Sequence, residues 1–186
     1  MKKILTSAIA FLITLTVSAH QSITTFMGIP VKGSEKAMRT KLKAKGFEES
    51  DKNILKGMLE GKEHFLFINT NNNSVCQLVL VEEESINNAN AAVDKFNSLL
   101  EEYRNDEKRY TEYKYNYPIP DRDEYTNKGY IAGGCYYAEF FQVCNPQNYS
   151  RRISLRISDE YSGYRIVKTY DNVYNLNETC VVWNIK

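Results

Sequence analysis

The residue pattern predicts an α+β fold, a two-layer sandwich with an antiparallel sheet and two helices on one face. Three observations carry this. The stretch from Ser85 to Arg104 repeats apolar residues at helical spacing. Strand-like runs lie on both sides of it, joined by connections too short for parallel crossovers. Each helix has one apolar stripe and each strand one apolar face, so laying helices on the sheet buries both.

Gly33-Ser34 opens the first helix, with Ser34 as N-cap and Glu35 in the positive first turn. It runs to about Lys45, where Gly46 takes the left-handed position past the end. Ala37, Met38 and Leu42 form its apolar stripe, and Lys36, Arg39, Lys41, Lys43 and Lys45 crowd the rest. Strands are expected over Ile54 to Glu60, His64 to Thr70 and Val75 to Val81, turning at Gly61-Lys62 and at Asn71 to Ser74. In the second helix Ile86, Ala89, Val93, Phe96, Leu100 and Tyr103 form the stripe, and Glu82-Glu83-Glu84 places negative charge before its N-terminus. Residues 105–130 are polar and tyrosine-rich, with no element assigned; Pro118 and Pro120 exclude a central strand there. Cys135 to Val143, Ile153 to Ile157 and Tyr164 to Tyr170 make a second meander, and Val181 to Ile185 adds a short last strand. The order predicts a pseudo-duplicated α-β-β-β unit, with halves of about 20–84 and 85–186 in one domain.

The beginning of the chain reads as an export signal. Lys2 and Lys3 precede an uncharged, mostly apolar run from Ile4 to Val17, and Val17-Ser18-Ala19 offers small residues for cleavage before His20. The expected location is periplasmic or extracellular, with no transmembrane segment in the mature chain. The whole sequence carries a formal net charge of +1. Without Lys2 and Lys3, 22 cations face 23 anions. That balance supplies no electrostatic attraction to nucleic acid. An even number of cysteines in an exported chain favours disulfides among Cys76, Cys135, Cys144 and Cys180. Three connectivities are possible. On one extended strand Cys135 and Cys144 stand too far apart to bond, and the preferred pairing is Cys76–Cys135 with Cys144–Cys180.

No catalytic signature appears: there is no nucleophile elbow, zinc-protease helix or phosphate-binding loop. His20 and His64 are the two histidines, and His64 opens an apolar strand, so it reads as structural. No cofactor or metal is implied. Asp121-Arg122-Asp123-Glu124 with Asn127 and Gly129 has the outline of a calcium loop, but Tyr125 and Thr126 occupy a ligand position and the glycine position. The most unusual feature is a run of seven tyrosines between Tyr103 and Tyr130. Tyrosine joins a rigid apolar body to a polar tip, which suits recognition. Tyr110, Tyr113, Tyr115 and Tyr117 are the candidate ligand-binding residues, with Tyr113, Tyr115 and Tyr117 on one face if the segment is extended.

Phe26-Met27-Gly28-Ile29-Pro30-Val31-Lys32-Gly33-Ser34, leading to Lys43-Ala44-Lys45-Gly46-Phe47, resembles the start of a group of uncharacterised exported bacterial proteins. The segment ending Tyr170-Asp171-Asn172 is similar to their closing strand. The helix-plus-meander order is also similar to the β-lactamase-inhibitor-protein fold and to small outer-membrane-assembly lipoproteins, a resemblance that implies a binding module. This chain has no lipobox cysteine. The expected function is therefore a non-catalytic binding or interaction protein, with a protein or glycan of the envelope or exterior as partner. The alternatives are an envelope hydrolase using carboxylates such as Asp121, Asp123 or Glu139, and a self-associating structural component.

Overall fold

The computed structural model describes residues 23–51, 53–115, 123–144, 149–160 and 162–176. Within them the chain is mixed α+β, with three helices and an eight-stranded antiparallel sheet. A small hairpin, β1 (Thr25–Phe26) and β2 (Ile29–Pro30), turns at Met27 and Gly28, both at positive φ, and leads into α1 (Glu35–Lys43). The Ser34 hydroxyl accepts from the Ala37 amide at 3.3 Å, as an N-cap should. Gly46 sits at φ 94°, past the helix end. Met38 and Leu42 are fully buried, but Ala37 lies on the exposed side, one position off the stripe assigned to it.

The first meander follows the predicted spans: β4 (Ile54–Leu59), β5 (Lys62–Asn71) and β6 (Ser74–Glu82). Its turns are two-residue, at Glu60-Gly61 and Asn72-Asn73, and all four residues have positive φ. The first turn thus falls one residue earlier than Gly61-Lys62. β3 (Glu48–Asp51) pairs with β4 and was not predicted. Its Glu-Glu-Ser-Asp sequence has no apolar face, because it is an exposed edge strand.

α2 spans Ala89–Asn105 and buries Ala89, Ala92, Val93, Phe96, Leu100 and Tyr103. It begins four residues later than the periodicity suggested. Ile86 instead exchanges two backbone hydrogen bonds with Tyr164, each 2.8 Å, which ties the linker to the last strand. The acidic run does not cap the N-terminus of this helix. Asn88 accepts from the Ala91 amide, and Glu124 accepts from the amides of Ala89 at 2.9 Å and Asn90 at 3.0 Å. Glu124 opens α3 (Glu124–Ala132), so one helix caps another.

β7 (Tyr110–Tyr115), β8 (Tyr137–Gln142), β9 (Arg152–Glu160) and β10 (Gly163–Asp171) complete the sheet, in the order β3-β4-β5-β6-β10-β9-β8-β7. The expected strand over Val181 to Ile185 lies outside the described residues. Alternate strand residues, among them Leu55, Leu66, Leu78, Leu80, Ile153, Leu155 and Ile166, join Met38, Leu42, Phe96, Leu100 and Ile131 of the helices in one core. The intervening positions point the other way. There Val79, Val81 and Val167 form a second buried cluster against Phe67, so the centre of that side is no exposed plate. Among the described residues no helix is long and apolar enough to cross a membrane.

Cys135 is a half-buried free thiol, so the expected Cys76–Cys135 bond is not formed. Cys180 lies outside the described residues.

Candidate functional site

The calcium-loop outline dissolves in the fold. Asp121 lies outside the described residues, Asp123 caps α3 by accepting from the Thr126 amide at 2.9 Å, and Glu124 caps α2. Asn127 is fully buried, donates to Asn90 Oδ1 at 2.7 Å and accepts from the Tyr136 hydroxyl. Among the described residues no group of three or more His, Cys, Asp or Glu side chains is placed to hold a metal ion.

The predicted tyrosines divide. Tyr110 packs on Tyr103 at 4.5 Å between ring centres and is half-buried at the rim of the core. Tyr113 and Tyr115 are exposed. They do not share a side, because the register shifts between Glu112 and Lys114 and leaves Tyr113 as the extra residue of a bulge. Tyr113 meets Phe141 edge-on at 5.0 Å, and Phe141 meets exposed Tyr149 at 5.2 Å. Tyr115 lies under the Arg104 guanidinium at 4.8 Å, and Arg104 also grips Glu112 with two bonds of 2.8 and 2.9 Å. Tyr117 lies outside the described residues.

Glu139 is committed to a polar chain across the strands. It accepts from the Tyr137 hydroxyl and lies 3.5 Å from Arg152, which bonds Asp171 at 2.7 Å. Gln77 donates to the other Asp171 oxygen at 2.8 Å and accepts from Asn69 at 2.9 Å. Asp171 is 3% exposed. Burial pushes its carboxyl up, and Arg152 and Gln77 pull it back only in part.

A cavity of about 610 Å³ lies beside α1 among Lys36, Arg39, Lys43 and Glu49. Arg39 there bridges Glu35 and Glu49, and Lys43 pairs with Glu49 at 3.0 Å. Two of the cations on the first helix, Arg39 and Lys43, are thereby paired with Glu49 of β3.

A smaller cavity of about 240 Å³ lies between α2 and the ends of β4, β5 and β6. Lys62, His64, Glu82, Lys95 and Lys168 contribute its charge; Leu59 and Leu99 give it apolar wall. His64 and Glu82 face each other across β5 and β6, and both are buried. The His64 Nδ1–H donates to the Lys62 carbonyl at 3.0 Å, which leaves Nε2 as the acceptor in the neutral ring. Burial holds this imidazole below its ordinary value, and Lys168 adds to the effect. Burial also works to raise Glu82, but the Lys95 ammonium bonded to it, with Lys62 at 3.5 Å, outweighs that and leaves it below the usual carboxylate range. The sequence pointed to His64 alone here. Glu82 was hidden in an acidic run, and Lys168 in a strand whose neighbours were unknown.

The chain matches no protein-family model, no curated protein and no solved structure.

Proposed function

We propose that this chain is an exported, non-catalytic binding protein that grips a protein partner by adding an extended segment of it to the β7 edge. One observation carries the reading. The two outer strands differ in the side chains that stand beside them. β3 bears Glu48, Glu49 and Asp51, and Glu49 is held by Arg39 and Lys43, so that edge is guarded by charge. β7 is an exposed outer strand whose bulge projects Tyr113 into a line of rings with Phe141 and Tyr149. Strand addition gives affinity through backbone hydrogen bonds, and aromatic rings beside the edge give specificity.

A two-layer, pseudo-duplicated build is part of the proposal. The sheet order is symmetric about β6 and β10: each half runs from its outer strand inward, and the halves meet at their last strands. A helix precedes each set of strands, α1 before β3 and α2 before β7. The leader-like first 19 residues support export.

The test is cross-linking from residue 114, an exposed position of β7 next to Tyr113. A photoreactive aromatic residue placed there is expected to trap one envelope or exterior protein, and Tyr113→Ala with Tyr149→Ala is expected to abolish its capture. Undiminished capture by that double variant refutes the surface. Cross-linking only between copies of this chain, with concentration-dependent sedimentation, transfers the edge to self-association.

A further inference from the structure

The cavity under α2 contains a charge that the fold leaves uncompensated. Lys168 sits in β10, a central strand, opposite Leu80 of β6 and Leu155 of β9. Its side positions it among core residues, since Ile166 and Tyr170 on either side belong to the main cluster. It is 6% exposed and lines the cavity. Among the described residues, no ion pair or hydrogen bond reaches its ammonium. The nearby buried carboxylate is already engaged: Glu82 bonds Lys95 and faces Lys62. Glu60 and Glu102 stand exposed at the rim. With His64 neutral, the buried and half-buried groups Lys168, Lys95 and Glu82 leave one positive charge in excess. An ammonium that faces a cavity without a protein partner is open to an anion, which forms a strong charge-assisted bond with it.

We propose that this cavity binds the carboxylate of a small aliphatic acid, with the acid group on Lys168 and the hydrocarbon against Leu59 and Leu99. A cavity of about 240 Å³ limits the body to a few carbons. The site is separate from the β7 edge and stands or falls independently of it.

The experiment is a titration of the full chain with butyrate, followed by amide and methyl chemical shifts in α2 and β10, with butyramide as the neutral match in shape. Butyrate is expected to move these signals saturably, and butyramide to leave them unmoved. Lys168→Met keeps the stem and removes the charge, and it is expected to weaken butyrate at least about tenfold. Lys168→Gln serves as a second variant, with the same expectation. Lys62→Met at the exposed rim is expected to change the affinity less than about twofold. Equal shifts from butyramide, no butyrate-dependent shift, or full affinity in both Lys168 variants each overturn the proposal.

Discussion

Replacing Arg152 by methionine tests the account of the polar chain across the sheet. Arg152 holds two carboxylates at once: Asp171 at 2.7 Å and Glu139 at 3.5 Å, with side chains only 4% and 11% exposed. Methionine preserves much of the stem and removes the charge, leaving Asp171 with Gln77 and Glu139 with Tyr137. Stripping the partner from a buried ion typically costs ~3–5 kcal/mol. The Arg152 side chain is itself 31% exposed, so water already screens part of the interaction, and ~2–4 kcal/mol is expected near pH 7. The pH dependence follows from the carboxyl. Asp171 lies above its ordinary value in the folded chain, chiefly through burial, so the folded state takes up its proton first as pH falls. Its favourable contribution is full below the unfolded value and is lost as pH rises through the folded one. Without Arg152 that folded value rises further. The deficit of the variant is therefore largest at neutral pH and shrinks on acidification. Urea unfolding of both proteins across the acid-to-neutral range measures it. A deficit below about 1 kcal/mol, or one that does not change with pH, refutes the reasoning.

Gly57→Ala is expected to cost ~1–3 kcal/mol, because a Cβ there would lie 2.8 Å from Cδ1 of the buried Phe47 ring; thermal unfolding reads it. Tyr136→Phe removes the hydroxyl bonded to fully buried Asn127 and is expected to cost ~1–3 kcal/mol in denaturant unfolding, with little loss of packing. His64 lies below its ordinary value in the folded chain, so its contribution is full above the unfolded value and lost as pH falls through the folded one. Proton NMR of the ring should show the depressed titration, and a normal one would contradict its burial. Glu124→Ala should lower the melting temperature and speed amide exchange at Ala89 and Asn90, whose N–H groups lose their acceptor. Exchange unchanged there would mean that Asn88 alone secures the helix start.

Much of the fold was legible wherever the chain buries one side of an element. The alternation in β9 and the stripe of α2 follow from strand and helix periodicity, and the Asn-rich turn follows from its tolerance of positive φ. What escaped had no one-sided apolar signal: β3 is polar because it is an edge, and α3 buries only Asn127 and Ile131. The tyrosine segment was legible as unusual but not as divided. A bulge, which depends on pairing with β8, sends Tyr113 and Tyr115 to different neighbours.

By itself the sequence determined the local elements and the antiparallel hairpins, because each depends on residues close together along the chain. Only the tertiary structure decided that β6 meets β10, that Glu124 rather than Glu82 to Glu84 caps α2, and that Lys168 is buried without a partner beside His64. Those outcomes depend on which distant strands become neighbours. A lysine in a strand is a solvated charge or a buried one according to what packs over it, and no local pattern records that.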